Sequence, residues 1–253
     1  MKFTFLGTGT SQGIPLIGCA CKVCLSANDR DKRLRSSLLV QSSTTTILVD
    51  AGPDLRQQLL RTNISDIDAI LITHQHQDHT AGLDEVRAIN FLQKHSIPVY
   101  ASAEAQLRLK EQYAYIFSGS NYPGIPQIEL KTLPNKNFSI GDISITPLQL
   151  QHGQLPVTCF RFGDFTYVTD ANFISAKEKE KIQGTKYLVL NALRHEKHHS
   201  HFTLNEALAI ADELGVEQAY FTHISHQLGL HATVSAGLPA NRNLAHDGLV
   251  ITT

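Results

Sequence analysis

Residues 68–79 read DAILITHQHQDH, an apolar run followed at once by six polar residues. The apolar half, residues 68–73, is typical of a strand buried on both faces of a sheet. The polar half offers four side chains of the types that bind metal ions: His74, His76, Asp78 and His79. A loop at a strand end lets such side chains converge, and this mixture suits Zn, Mn, Fe or Ni. Because four donors exceed what one open catalytic ion needs, two ions are favoured.

Further candidate ligands each stand directly behind another predicted strand: His152 after residues 143–151, Asp170 after residues 165–169 and His223 after residues 218–222. One such residue alone would more often be structural, but the shared position at strand ends predicts a common site. Asp50 also ends a predicted strand. For Asp50 we favour a hydrogen bond to a metal-bound histidine over direct ligation, since such a carboxylate fixes the imidazole tautomer.

The composition describes a folded protein with a sizeable core. Of its 253 residues, 42% are hydrophobic and 18% are charged, which excludes a disordered chain. The formal net charge of -1 provides no basic field to recruit nucleic acid. No apolar run reaches the ~20 residues that span a bilayer, and the first residues do not resemble a secretion signal. A cytoplasmic protein without a membrane contact is therefore expected.

Strands and helices alternate along the chain in two batches, without a composition break or a long repeat. This pattern predicts one α/β domain over residues 1–253, with two sheets and outer helices. Helices are predicted over residues 53–62, 80–95, 103–117 and 204–214. The capping box Thr203–Glu206 begins the last of these helices. Residues 118–136 are rich in Gly, Asn and Pro, and we predict a long surface loop there.

Three clustered cysteines form a CxCxxC pattern, at Cys19, Cys21 and Cys24. In a reducing compartment such a cluster favours a metal over disulfides, and three thiolates suit a closed, structural zinc site with one more ligand from elsewhere. His226 is a candidate for that ligand, with His231 and His246 as weaker alternatives. Cys159 lies inside an apolar strand and is expected in the core. The Gly-rich residues 7–13 indicate tight turns, because no phosphate-loop pattern follows them.

The order HxHxDH, a later single His, an Asp and a final His is similar to the metallo-β-lactamase superfamily, and the resemblance covers essentially the whole chain. It implies a four-layer αββα sandwich with a metal site at the edge between its sheets. It also implies one ion on His74, His76 and His152, a second on Asp78, His79 and His223, and a bridging Asp170.

Within that superfamily, GTGxSxG, GCxCxxC and a late HxxH resemble the PhnP-like cyclic phosphodiesterases. The resemblance implies a structural zinc on Cys19, Cys21, Cys24 and His226, in an insert near residues 18–26. Residues 198–204 resemble the family pattern in which the residue at the place of His201 protonates the leaving oxygen. His198 matches with an open role, whereas His199 replaces the usual Pro, which would alter the loop's rigidity. His195 and His199 are expected in solvent.

The resemblance implies a metal-dependent hydrolase that cleaves a small phosphodiester, such as a ribose cyclic phosphate. Two divalent ions would activate the attacking water, and Zn and Mn are the first candidates for these ions. His201 as an imidazolium and Asp78 are the predicted catalytic residues, with Asp78 also tuning the metals by its charge. The alternatives are a tRNA 3′-processing nuclease, another ester, lactam or thioester hydrolase, and a non-catalytic metal-binding carrier. The nuclease is disfavoured because residues 118–136 contain only Lys131 and Lys136 as cations. Relatives commonly form homodimers, which this sequence does not specify.

Overall fold

A computed structural model describes residues 1–119 and 122–253, and within those ranges the strands form two mixed sheets of seven strands each. The first sheet contains, in spatial order, β14 (Val250–Thr252), β1 (Lys2–Gly7), β2 (Ser37–Gln41), β3 (Thr46–Val49), β4 (Ala69–Leu71), β5 (Ile97–Ala101) and β6 (Ile128–Thr132). The second contains β13 (Arg242–Leu244), β12 (Gln218–Thr222), β11 (Tyr187–Asn191), β10 (Phe165–Tyr167), β9 (Leu155–Phe162), β8 (Ile143–His152) and β7 (Phe138–Ile140).

Helices cover the outer faces of both sheets. They are α1 (Leu55–Thr62), α2 (Gln77–Thr80), α3 (Arg87–Gln93), α4 (Ala103–Gln112), α5 (Ala176–Ile182), α6 (Leu204–Glu213) and α7 (His231–Ala236). Helices α1 and α4 pack on the first sheet, and α5, α6 and α7 pack on the second. The predicted αββα sandwich is therefore confirmed. Among the described residues, no helix combines the length and apolar character needed to cross a membrane.

The facing sides of the two sheets enclose an apolar core. Phe3 of β1 and Phe165 of β10 stack with their ring centroids 3.8 Å apart, and both side chains are fully buried. Burial of each such side chain contributes about 1.5–3 kcal/mol. Two further apolar clusters lie between each sheet and its outer helices. This arrangement explains why residues 69–72 are all apolar, since β4 is buried on both faces.

The candidate site lies where strands of both sheets end. β3 and β4 run parallel in the first sheet, and β10, β11 and β12 run parallel in the second, so each set ends at one edge. The backbone N–H of Thr158 in β9 donates to the carbonyl of Thr73 at 3.0 Å and joins the sheets beside this edge. The polar residues behind β3, β4, β10 and β12 therefore meet.

Three predicted elements differ from the structure. The helix predicted over residues 103–117 already ends at Gln112. The predicted helix 80–95 is divided into a short helical turn, Leu83–Val86, and α3. Gly82 lies before both segments and accounts for their late start, because its N–H donates to the Ala51 carbonyl and a Cβ there would lie 2.0 Å from the Gly52 carbonyl oxygen. The predicted loop 118–136 contains β6, which pairs in parallel with β5. Residues 120 and 121 of that prediction lie outside the described residues.

Candidate metal centre

Three histidines form the first donor group of the site: His74, His76 and His152. Each offers a ring nitrogen, and the three nitrogens lie within 4.8 Å of one another. His74 Nε2 and His76 Nδ1 are 2.9 Å apart. His152 Nδ1 donates to the Ser200 carbonyl at 2.8 Å, which leaves its Nε2 as a lone-pair donor. Burial lowers the pKa of both His74 and His152, so they remain neutral, the form that binds metal.

The second donor group contains two carboxylates and two imidazoles, all buried: Asp78, His79, Asp170 and His223. His79 Nε2 lies 3.1 Å from Asp78 Oδ2 and 3.1 Å from Asp170 Oδ2. His223 Nε2 lies 3.1 Å from Asp170 Oδ1. Within the described ranges neither Nε2 atom makes a hydrogen bond, although both are fully buried. We call these four residues and the three histidines of the first group the His/Asp centre.

Asp170 links the two groups, because its carboxylate also lies within 4.8 Å of donor nitrogens of His152 and His201. Although burial opposes it, the neighbouring His223 and His79 hold the pKa of Asp170 well below its usual range. Burial likewise opposes a charged His79, but the carboxylates of Asp78 and Asp170 raise its pKa well above the ordinary value. The ionised carboxylates of Asp78 and Asp170 therefore attract a positive charge, such as a cation, to the space between the donor groups.

The geometry of the His/Asp centre fits divalent metal ions. Ligand atoms about 2.0–2.2 Å from a shared ion lie about 3.0–3.4 Å from each other in tetrahedral or octahedral geometry. The N···O separations of 3.1 Å, without a hydrogen bond at the buried Nε2 atoms among the described residues, match that spacing. The donor types suit Zn, Mn, Fe or Ni. The structure thus brings together every residue predicted for this centre, while their ligand roles stay a prediction.

Asp50 supports the centre from behind. Its Oδ2 accepts a hydrogen bond from His79 Nδ1 at 2.7 Å, and its Oδ1 accepts the Thr73 backbone N–H at 2.9 Å. This contact directs the other nitrogen of His79 toward Asp78 and Asp170. The placement agrees with the predicted role of fixing an imidazole tautomer.

Two supporting residues were not anticipated from the sequence. The Thr73 hydroxyl donates to Asp50 Oδ2 at 2.9 Å and lies 3.0 Å from His74 Nδ1. It can accept a hydrogen bond from the Nδ1–H of His74, which leaves the lone pair of His74 Nε2 available for a metal ion. Asn191 accepts the N–H of Ala171 and donates to its carbonyl, which holds the segment behind Asp170. Both are polar residues at the end of an apolar strand pattern, and that position was the available signal.

The predicted cysteine cluster forms a second potential metal site, which we call the Cys site. The Sγ atoms of Cys19, Cys21 and Cys24 lie 3.4, 3.4 and 3.6 Å from His226 Nδ1. Tetrahedral zinc with bonds of about 2.3 Å to sulfur and 2.0 Å to nitrogen places these atoms about 3.5 Å apart. A hydrogen bond from the Cys24 backbone, with the contact to His226, lowers the pKa of Cys21 to about 6, which favours the thiolate that binds metal.

Of the three candidates for the fourth ligand of the Cys site, the structure places His226 beside the cysteines, while its ligand role stays a prediction. His226 joins the cysteines, whereas the alternatives His231 and His246 lie together elsewhere, with their ring centroids 5.9 Å apart. His231 Nδ1 lies 3.0 Å from a guanidinium nitrogen of buried Arg33. Which histidine reaches the cysteines depends on where the chain returns to them, and the sequence spacing does not reveal that point.

His201 lies at the centre as predicted from the resemblance. Its buried ring is 4.5 Å from that of His152 and 4.8 Å from that of His223, and its Nδ1 is 3.8 Å from Asp170 Oδ1. Burial and the His223 charge lower the pKa of His201 to about 2, so the ring is neutral in the free protein. The surroundings that bring His201 to the centre also remove its hydration, which disfavours the charged ring. Proton donation by a His201 imidazolium during turnover stays a prediction.

The neighbouring histidines divide by exposure. His198 is half-buried, and its ring centroid lies 5.1 Å from that of His201. Its Nδ1 accepts a long contact of 3.4 Å from the Ser200 N–H. His195 and His199 are exposed, as predicted. His198 is therefore a neighbour of His201, and its role stays open.

A cavity of about 560 Å³ opens beside His76. The loop of the HxHxDH motif and helix α4 form its walls, with the side chains of Gln75, Gln77, Arg108, Glu111 and Gln112. Gln75 donates to Glu104 at 3.1 Å, and Gln77 and Gln112 exchange hydrogen bonds, so the walls are joined. Amide and charged side chains line the space, and its volume is of the size that a small molecule occupies.

Comparisons with known proteins identify the class of protein to which this fold and this centre belong. Residues 45–224 match the family model of the beta-lactamase superfamily domain, and the chain belongs to that superfamily. A crystal structure described as a new diphosphatase from the PhnP family has a TM-score of 0.93 and 38% identity, covering 100% of this chain and 97% of that one. The chain is therefore a PhnP-like protein of the metallo-β-lactamase superfamily.

Two other similarities bear on the interpretation. An octanoyltransferase from Porphyromonas gingivalis is 36% identical over 252 residues, which are 98% of this chain and 51% of that protein. This chain thus spans about half the length of that curated relative. Zn²⁺-bound PqqB from Methylobacterium extorquens has a TM-score of 0.79 at 20% identity, covering 100% of both chains, which is a likeness of fold.

Proposed function

We propose that this protein is a metal-dependent hydrolase that cleaves a small phosphodiester at the His/Asp centre. The observation that carries the proposal is the meeting of two donor groups, since the Asp170 carboxylate of one group lies within 4.8 Å of a donor nitrogen of His152 in the other. One divalent ion would be held by His74, His76 and His152, and a second by Asp78, His79 and His223. Asp170 would be a ligand of both ions, and Zn and Mn are the first candidates. When bound, such an ion pair supplies activated water at neutral pH and neutralises phosphoryl oxygens.

The chain's own residues supply the proton and the orientation. His201 is neutral and buried in the free protein, so the negative charge of a phosphodiester entering the centre would raise its affinity for a proton. Protonated His201 would then donate to the departing oxygen. Asp78 stays ionised beside His79 and His223, although burial opposes this, and its charge is part of the centre's attraction for cations.

The cavity beside His76 supports a small substrate. Its volume of about 560 Å³ suits a nucleoside-sized group, and amide side chains of Gln75, Gln77 and Gln112 can hydrogen-bond to hydroxyls or base edges. The formal net charge of -1 argues against a tRNA substrate, whose binding depends on many cationic contacts. A diphosphate compound is the second candidate substrate, favoured by the 38% identity to the structure described as a diphosphatase.

The direct test compares substrates on the metal-loaded protein. We expect turnover of a ribose cyclic phosphate and of bis(p-nitrophenyl) phosphate, lost on chelation and restored by Zn or Mn. A diphosphate diester tests the second candidate, and a lactam and a thioester serve as controls for other superfamily chemistry. Metal binding without turnover of any of these compounds would contradict the proposal and favour a carrier.

His201→Ala tests the assignment of the proton donor. We expect kcat to fall by ~10²–10⁴ on a substrate with an alkoxide leaving group, and much less with p-nitrophenolate, which departs without a proton. Metal content should not change, because the proposed ligands remain. Metal analysis beside kinetics on both substrates checks this. Equal losses on the two substrates would remove His201 from proton donation.

A further inference from the structure

The residues around His201 form a closed loop, residues 194–203, which we call the His201 loop. At its base the Leu204 N–H donates to the Arg194 carbonyl at 3.0 Å, and the Leu193 N–H donates to the Phe202 carbonyl at 3.0 Å. Within the described part of the chain, Nδ1 of His201 makes no hydrogen bond. The position of its ring therefore depends on how the loop backbone is held.

The outer part of the His201 loop is held by Arg194. Its Nε donates to the Glu196 carbonyl and its Nη2 to the Lys197 carbonyl, both at 3.2 Å. Its Nη1 donates to Gln227 Oε1 at 2.8 Å. One guanidinium thus fixes the first turn of the loop and joins it to a second segment.

That second segment is the helical turn His226–Leu228, which begins at a proposed ligand of the Cys site. A second hydrogen bond reaches it from the same loop, from His195 Nε2 to the Leu228 carbonyl at 3.1 Å. The backbone N–H of Ser225 donates to the Leu193 carbonyl at 3.0 Å. The turn is therefore tied to the cysteines at its start and to the His201 loop along its length.

We propose that Arg194 is a positioning residue that couples the Cys site to His201. A Cys site with its ligands in place fixes the turn His226–Leu228, and the turn holds the His201 loop through Gln227 and Leu228. The Cys site then contributes to catalysis as well as to stability. The kinetic part of this inference rests on the proposed function, whereas the ordering of the loop does not.

The kinetic test uses matched variants of the metal-loaded protein. Arg194→Ala and Gln227→Ala should each lower kcat about ten- to hundredfold on an alkoxide-leaving substrate, with little change in KM. Gln227→Glu keeps an acceptor for Arg194 and should retain the wild-type kcat. Combining Arg194→Ala with His201→Ala should add no further loss to that of His201→Ala, because both changes remove the same function.

Arg161→Ala is the matched control. Arg161 also holds a loop, by hydrogen bonds to the carbonyls of Gly163, Lys181 and Gln183, but it lies in β9 away from the Cys site. We expect it to lower the stability of the protein and to leave kcat within about twofold of the wild type. An equal fall in kcat for Arg161→Ala and Arg194→Ala would show a general loss of structure and overturn the proposal.

Amide hydrogen exchange tests the coupling without activity. Arg194→Ala, Gln227→Ala and selective release of zinc from the Cys site should each increase exchange in residues 195–202, whereas Gln227→Glu and Arg161→Ala should not. Unchanged exchange after Arg194→Ala, or additive losses in the double variant, would overturn the proposal. If no phosphodiester is turned over, the proposed function fails, and the exchange data still decide whether Arg194 couples the two segments.

Discussion

Three residues of the candidate centre and its support have left-handed backbone conformations. The φ angles are 64° at Asp50, 54° at Asp170 and 54° at His223. Such conformations cost on the order of 1–3 kcal/mol each for residues other than glycine and persist where the surroundings determine them. Here the chain must turn sharply behind β3, β10 and β12 to direct each side chain inward. The hydrogen bonds of Asp50 and the contacts of Asn191 with Ala171 offset that cost.

Asp50→Asn tests the supporting role of this carboxylate. The amide keeps the shape but offers one acceptor oxygen to the two donors, Thr73 N–H and His79 Nδ1, and the negative charge behind the imidazole is lost. We expect metal affinity of the His/Asp centre to fall ~10–100-fold, measured by competition with a chelator of known affinity. Asp142→Asn, at an exposed carboxylate hydrogen-bonded to Ser42 and Thr45, is the control. If the metal affinity of the Asp50→Asn variant equals that of the wild type, the charge of Asp50 does not support the His/Asp centre.

At the scale of elements, the sequence predicted strand ends better than helix lengths. Strand ends were marked by a change from apolar to polar residues, as at Thr73 and Asp170. The helix predicted over residues 80–95 begins only at Leu83 in the structure, because periodicity does not report the close backbone contact at Gly82. β6 was missed because its residues are half-buried or exposed and it pairs at a sheet edge, which leaves little apolar pattern.

The capping box that begins α6 was predicted from four residues and is confirmed. The Glu206 N–H donates to Thr203 Oγ1 at 3.2 Å, and the Thr203 N–H donates to Glu206 Oε2 at 2.8 Å. Thr203→Ala should lower the free energy of unfolding by about 1 kcal/mol, because the helix loses its N-cap acceptor. Urea denaturation at constant metal content measures this. Thr203→Ser, which keeps the hydroxyl, should retain stability, and equal losses in both variants would contradict the capping role.

At the scale of the whole molecule, the two sheets supply different parts of one centre. Four residues follow β4 of the first sheet: His74, His76, Asp78 and His79. In the second sheet His152 is the last residue of β8, and Asp170 and His223 follow β10 and β12. Strand-end patterns made each residue a candidate, but its assignment to a donor group came from family resemblance. For the Cys site the resemblance implied His226, whereas the residue pattern alone left His231 and His246 open, because that choice depends on the path of the chain after β12.

The Cys site should contribute to the stability of the whole molecule. Cys21→Ala removes one of four ligands, and because closed zinc sites contribute folding free energy, we expect a clear loss of zinc and a lower melting temperature. Elemental analysis and thermal unfolding measure both. Cys159→Ala is the control, since this buried thiol lies in the core among other apolar residues. Its zinc content should equal that of the wild type, and full stability of Cys21→Ala without zinc would contradict a structural role.

The central claim is that strand ends of both sheets form one centre for two cations. Anomalous diffraction from crystals saturated with zinc tests it most directly. We predict one peak among His74, His76 and His152, a second among Asp78, His79 and His223, Asp170 in contact with both, and a third at the Cys site. Saturated crystals without density in the His/Asp centre, or with its side chains directed away from a common point, would contradict the account.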